Sequence, residues 1–398
     1  MNFLTKLFIA APFLLWLFLT MQAFHGDGFL SNNGDAIDFY RYTNYFLNNI
    51  ERGVYPFWNP FDSWGRPDDV LARMMGEFNP FLYLVVLFKK CGFSFLIAYE
   101  MYLIIYFCVG AFGFYCLIHK IVGDRFWAYV GVLFMLFLNY ATNLYTNILV
   151  IYMTVPTLWF FVFFLSFIDK PKRWNFLGCV LTLMVIGTTY IPVYFIIPLV
   201  IFITAASILY IRELPSYWQQ TISFIKKHPV IFFLGIVSIG LAMVPPLRWI
   251  LLTKQDVVFG WRYSQNSMEL GINDIISSSS ICHYWWIGFL KLLKSYSFVS
   301  FYVPVIFFIV ALVGGMVAAS RRLMVEACVF LFIFAFSMTS ATKIFDFFYT
   351  ICPIFHFYRN YHLIIWLALL AFIIFVVDVL KTFVDDYAGS LNPWVIAW

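Results

Sequence analysis

The sequence predicts an all-α polytopic membrane protein with about ten transmembrane helices and interfacial helices in its first external loop. Three observations predict it. Only 11% of the 398 residues are charged and 63% are hydrophobic, against roughly 25% and 45–50% in soluble domains. Ten apolar runs reach the length of about 20 residues that a bilayer demands of a helix. Lys and Arg gather in the short loops on one side of those runs, the pattern that marks a cytoplasmic face. Mean hydropathy is +0.87, and 50 Phe, 25 Tyr and 14 Trp exceed what one soluble core would bury but suit lipid-facing helices and interfacial belts.

The first run follows Lys6 and reads LFIAAPFLLWLFLTMQAF. It has the look of a signal peptide, yet no small-x-small cleavage site follows and further spans come after it, so 7–24 reads as an uncleaved first helix. The others are 94–118, 126–143, 148–168, 174–191, 193–211, 229–251, 297–319, 323–339 and 363–382. Residues 79–88 (NPFLYLVVLF) are too short to span and end at Lys89-Lys90, which suits an interfacial helix. The Pro245-Pro246 pair is expected to kink or end the helix over 229–251.

Charge placement tests this division. With ten spans and the N-terminus inside, the inner segments hold Lys6, Lys120, Arg125, Lys170, Lys172, Arg173, Arg212, Lys226, Lys227, Arg321, Arg322 and Lys381 against seven acids. The outer side balances 13 basic with 13 acidic groups. Reading 79–88 as an eleventh span would reverse every later loop and put DKPKR (169–173) and SRR (320–322) outside. The whole chain therefore reads as one transmembrane domain, 1–398, with external loops at 25–93, 252–296 and 340–362. On the inner side, 212–228 has the character of a surface helix.

A formal charge of +5 is too weak and dispersed for nucleic acid, and no phosphate-cradling glycine loop is present. The seven cysteines are scattered, with no pair at metal spacing; Cys282 with Cys352 is the one pair of loop cysteines worth checking. His283, His356 and His362 are too dispersed to propose a metal site. The Trp285-Trp286 pair reads as an interfacial anchor.

The first external loop is the most informative stretch. After Asp35, Phe39, Tyr42, Phe46 and Ile50 recur at helical spacing, giving 36–52 an amphipathic face that can lie along a membrane. Gly53 closes that helix, an aromatic, proline-rich YPFWNPF follows, and 79–88 returns the chain to the second span. Asp35 serves equally as an N-cap or as an acid poised where the first span meets water. Glu100 lies inside the second span, where a carboxylate is expensive unless it faces a polar cavity or hydrogen-bonds another helix. Asp378 and Glu326 stand near inner helix ends and are expected to snorkel or pair.

The words Gly34-Asp35, Gly53-Val54-Tyr55-Pro56-Phe57-Trp58-Asn59-Pro60, Gly65-Arg66-Pro67 and Glu77-Phe78-Asn79-Pro80 occur in an order that resembles the first extracytoplasmic loop of YfhO-like bacterial membrane proteins, within the GT-C superfamily of membrane glycosyltransferases. TTYIPVYFIIPLVIF (188–202) looks like that family's Tyr-containing span, WRYSQNS (261–267) its Ser/Arg-bearing loop, and PIFHFYRNYH (353–362) its P-x-x-x-x-F-R element. The last departs from the pattern: the family's second Arg is absent and His362 stands nearby.

The resemblance implies a GT-C-like fold and sugar transfer from a polyprenyl-phosphate-linked donor to an extracytoplasmic acceptor. The acceptor would be a cell-wall polymer, a lipid or a polysaccharide. It implies Asp35 as general base, with Asp38 one turn on able to share or replace that role. Arg359, then Arg262, Lys343 and Arg248, would meet the leaving phosphate, because a guanidinium fork binds two phosphate oxygens at once. Glu77 and Glu100 are the candidates for acceptor positioning or a second acid. No cofactor is required; a divalent cation, Mg or Mn, is expected only where Asp35, Asp38 and Glu77 converge. The partners are the bilayer, the lipid-linked donor, the acceptor and further membrane subunits, in the cytoplasmic membrane of a prokaryote. Two rival functions remain open at this point: a transporter or flippase of lipid-linked saccharides, and a non-catalytic scaffold that keeps the transferase fold.

Overall fold

A computed structural model describes residues 10–18, 34–56, 58–59, 66–67, 79–137, 148–189, 192–253, 320–338 and 364–388. These residues form α1 (10–18), α2 (Gly34–Glu51), α3 (Leu84–Lys90), α4 (Phe95–Val122), α5 (Arg125–Phe137), α6 (Ile148–Asp169), α7 (Arg173–Thr188), α8 (Pro192–Leu209), α9 (Leu214–Lys227), α10 (Pro229–Thr253), α11 (Arg321–Met338) and α12 (Ile365–Ala388). A 3-10 turn, Pro80–Tyr83, leads into α3. The extended structure among the described residues is one antiparallel pairing, β1 (Trp58–Asn59) with β2 (Arg66–Pro67). Apart from that pairing the described residues are mainly helical, with several apolar helices, as a membrane protein requires.

Helix ends follow local chemistry. The Ser94 hydroxyl accepts from the Ile97 N–H at 3.3 Å and starts α4. Gly123, at φ +79°, stops it with its N–H on the His119 carbonyl, a left-handed stop that glycine takes without a Cβ clash. Asp124 then accepts from the N–H groups of Phe126 and Trp127 at 2.8 and 3.0 Å. One Gly-Asp pair thus ends α4 and begins α5. α2 starts at Gly34, two residues earlier than the amphipathic pattern marks, and Gly53 at φ +74° terminates it. The 79–88 segment runs on to Lys90 as a 3-10 turn plus helix. α10 runs through Pro245-Pro246 to Thr253, so those prolines do not end it.

Phe95–Val122, Ile151–Asp169 and Trp366–Asp386 are each long and apolar enough to cross a membrane. A fourth span arises if α9 and Pro229–Val244, bent by 99° at their junction, count together. Arg125–Phe137, Arg173–Thr188 and Phe195–Leu209 are shorter apolar helices. The 297–319 span and most of the second and third external loops lie outside the described residues.

Packing places α12 at the centre. Residues from Trp366 to Val379 are almost all buried, against α5, α11 and the inner parts of α4 and α6. α4 and α6 run parallel and in close contact. Gly110 faces Val155, Gly113 faces Trp159, and the Trp159 indole N–H donates to the Val109 carbonyl at 3.0 Å. Between lipid-soluble helices such close approach of small residues takes the place of hydrophobic collapse. The outer faces are inverted relative to a soluble protein: Leu177 and Leu181, Ile196, Val200 and Ile203, and Phe233, Leu234 and Leu241 are all exposed. Stripes of this kind on three helices need an apolar solvent.

Candidate functional site

Two polar regions stand at opposite ends of α4. At the end where α4 begins, α2 lies across the helix starts. Its inward face buries Thr43, Phe46 and Leu47, and its rings meet those below. Tyr40 packs edge-on against Phe95 and Tyr99 at 5.2 and 5.5 Å, and Phe39 meets Tyr152 at 6.0 Å. Tyr99, Tyr102 and Tyr106, at i, i+3 and i+7, form one stripe of α4, and Tyr152 from α6 closes it. All four are buried.

Asn79 ties the first loop to this stripe. Its side chain accepts from the Phe81 N–H at 3.1 Å and donates to the Tyr102 hydroxyl at 3.3 Å, with only 1% of the residue exposed. The Tyr99 and Tyr152 hydroxyls are buried without a well-formed hydrogen bond, although each acts electrostatically on the other. Glu100 lies close enough to Tyr40 to add to the effect of burial, so that the Tyr40 phenol is raised above its ordinary pKa, burial contributing most. Glu100 thus lies within electrostatic range of α2 at the rim.

The far end of α2 is clamped. Lys89 donates to Glu51 at 2.6 Å and to Asn48 at 2.7 Å, and lies 5.8 Å from the centre of the Phe95 ring. The hydrogen bond from Lys89 holds the Glu51 carboxyl below its ordinary pKa.

The second region lies where α4 ends. Arg322 of α11 grips Asp378 of α12 with two bonds, Nε at 2.7 Å and Nη2 at 2.5 Å, and donates through Nη1 to the Ile121 carbonyl at 3.2 Å. Lys381 donates to the Val122 carbonyl at 2.8 Å. These carbonyls belong to the last turn of α4, where the helix dipole favours cations. Asp378 is fully buried, so the expectation that it pairs is met. Glu326, 8% exposed, is 3.8 Å from Arg322. Beside it a cavity of about 100 Å³ opens between α4, α6, α8, α11 and α12.

Of the residues expected to act, Asp35 is described in its backbone alone, as the second residue of α2. Arg248 is likewise described in its backbone alone, within α10. Asp38 sits on the outward side of α2, half exposed and 3.5 Å from Arg41. Glu77, Arg262, Lys343 and Arg359 lie outside the described residues. The words Trp58-Asn59 and Arg66-Pro67 are brought together, Trp58 opposite Pro67 and Asn59 opposite Arg66. No metal-binding group of three His, Cys, Asp or Glu side chains occurs among the described residues. Sequence reasoning missed the tyrosine stripe and Asn79. The i, i+3, i+7 spacing in YEMYLIIY was the available signal for the first; for the second it was Asn before Pro at a helix start.

The chain matches no protein-family model, and no curated protein matches it.

Proposed function

We propose that this chain is a membrane glycosyltransferase of GT-C type, with ten spans and its active side outside the cytoplasmic membrane of a prokaryote, and that it moves a sugar from a polyprenyl-phosphate donor to a saccharide or lipid acceptor. In this reading Asp35 takes the proton of the acceptor hydroxyl as its oxygen bonds to the anomeric carbon. The bond from that carbon to the lipid phosphate breaks in the same step. Arg359, supported by Arg262, Lys343 and Arg248, meets the charge that develops on the departing phosphate. Glu100 and Glu77 position the acceptor.

One observation carries the reading: the order of words in the first loop, opening on an acid. Its geometry is in keeping with that role. α2 begins at Gly34-Asp35, crosses the mouths of α4 and α6, and is held at its far end by Lys89, with buried phenols beneath it and Glu100 within electrostatic range of Tyr40. Phenol and carboxylate groups at the lip of an apolar bundle suit a substrate with a polar head and a lipid tail.

The test is transfer of radiolabelled sugar from a polyprenyl-phosphate donor by purified protein. Asp35→Asn is expected to slow transfer by at least ~10²-fold, the usual worth of a general base, with unchanged thermal stability. Wild-type rates in a folded Asp35→Asn protein would remove Asp35 from the mechanism.

A further inference from the structure

One corner of the molecule gathers more positive charge than topology requires. The turn between α6 and α7 carries Lys170, Lys172 and Arg173, and the last turn of α9 carries Lys226 and Lys227. A bias of Lys and Arg toward one side orients spans, but it does not ask that two basic segments meet. Here they do. Phe224 of α9 packs edge-on against Phe167 of α6 at 5.0 Å and lies 5.5 Å from Phe176 of α7. The Arg173 Nε donates to the His228 Nε2 at 3.5 Å, across 55 positions of sequence. All five cations are exposed.

The acids nearest in sequence are engaged elsewhere. Asp169 is held by Lys120 at 2.7 Å, and Glu213 pairs with Arg321 at the opposite end of α9. None of the five cations makes an ion pair among the described residues.

This charge stands beside exposed apolar surface. α9 meets Pro229–Val244 at 99°, so with α10 upright in a bilayer α9 lies along its surface. Leu214, Trp218, Ile222 and Ile225 form one side of α9 at helical spacing, and Gln219, Ser223, Lys226 and Lys227 the other. Trp218 is 67% exposed, and Trp174, next to Arg173, is 80% exposed. Indole rings at the apolar boundary with cations beside them match the headgroup layer of a membrane. A soluble polyanion would meet the cations and leave both indoles in water.

We propose that this corner binds the headgroup phosphate of an anionic phospholipid in the leaflet along which α9 lies, held by Lys172, Arg173, Lys226 and Lys227. Basic pockets between helices on the inner side of a membrane suit such headgroups. The bound lipid braces the elbow between α9 and α10. The site is at the opposite end of α4 from the α2 rim, and it stands apart from any sugar transfer.

The test uses full-length protein in phosphatidylcholine nanodiscs with a trace of phosphatidylglycerol that carries a diazirine in its acyl chain beside the ester. The expected result is labelling within 170–177 and 214–231, displaced by added phosphatidylglycerol but not by more phosphatidylcholine. Each Lys or Arg near an anionic surface is worth about fivefold in binding. Labelling should therefore fall at least ~10-fold in the triple variant Lys172→Gln, Lys226→Gln, Lys227→Gln. It should stay at the wild-type level when the same three become Arg. It should also stay within about twofold in Arg125→Gln with Arg212→Gln, which removes exposed charge from the same face but away from the corner. Melting in phosphatidylcholine nanodiscs shows that each variant is folded. Wild-type labelling in the folded Gln triple, an equal loss in the Arg125 and Arg212 control, or equal displacement by phosphatidylcholine would overturn the proposal. So would an unlabelled corner that instead binds soluble polyglutamate, which would assign it to an acidic protein segment.

Discussion

Lys89 was legible only as half of a dibasic stop, yet its amine joins three elements: α3, the end of α2 and the start of α4. Because Lys89 holds the folded pKa of Glu51 below its ordinary value, the clamp contributes fully above that ordinary value. The contribution is lost as pH falls through the lower, folded pKa. Protection of the α2 amides against hydrogen exchange, relative to the unfolded chain at the same pH, should therefore fall as Glu51 is protonated. In Lys89→Met that protection should be low already at neutral pH; an unchanged α2 in that variant would refute the clamp. Asp378 works differently, being fully buried beneath Arg322. Asp378→Ala removes the partner of a charge-assisted, two-bond grip. The expected cost is about 3 kcal/mol, the low end for breaking a buried pair, because Arg322 is 42% exposed and can turn to water. Unfolding in mixed micelles measures it, and a loss near zero would show the grip to be dispensable.

At the scale of elements, the seam between α4 and α6 and the elbow between α9 and α10 show how helices are positioned without hydrophobic collapse. A Cβ on Gly113 would lie 2.9 Å from the Trp159 indole nitrogen, and one on Gly110 would lie 2.7 Å from a Val155 methyl. Gly113→Leu should thus cost about 1–3 kcal/mol through overpacking, whereas Gly240→Ala, with open space around it, should be neutral or gain about 0.5–1 kcal/mol of helix propensity. Equal effects of the two on the melting temperature would contradict this packing. At the elbow, His228 stands between α9 and α10, with the Arg173 Nε 3.5 Å from its Nε2. Partial burial and then Arg173 lower its pKa, so the folded protein favours neutral imidazole. Stability at this joint falls as pH drops below the ordinary histidine value, where the unfolded chain takes up the proton. His228→Gln should flatten the pH dependence of melting between about pH 5 and 7.

For the whole molecule, contacts gather the ends of many helices on one face. Lys120 meets Asp169, Arg321 meets Glu213, Arg173 meets His228, and Phe224 packs between Phe167 and Phe176. These are the segments that the charge pattern assigned to the inner side, while Cys91, exposed, lies toward the other end of α4. In a protein whose other cysteines are replaced, Cys91 should react with a membrane-impermeant maleimide added to intact cells. A cysteine placed at Ser216 on α9 should react only after permeabilisation, and the reverse order would invert the topology.

Much of the architecture was legible because its signals are local. The amphipathic face of 36–52, the short apolar 79–88 and the surface character of 212–228 each follow from residues within one window, and α2, α3 and α9 occupy those places. The proposed site rests on a pattern of words at Asp35, of which the structure describes the backbone alone. The tyrosine stripe over which α2 lies needed Tyr152 from another helix to become a cluster. The Arg322–Asp378 grip joins residues 56 positions apart. Nothing in either local sequence says that the two charges meet rather than reach for water.

The sequence by itself determined that this chain is helical, apolar and asymmetric in charge, because each property is set by composition and by periods of a few residues. Only the tertiary structure decided which polar groups face inward and what they face. Glu100 acts on Tyr40, Asp378 is covered by Arg322, and Glu326 lines an apolar cavity beside that pair. The physical reason is that the free energy of a charge in a bilayer depends on its neighbours from other helices, and those neighbours are fixed by packing.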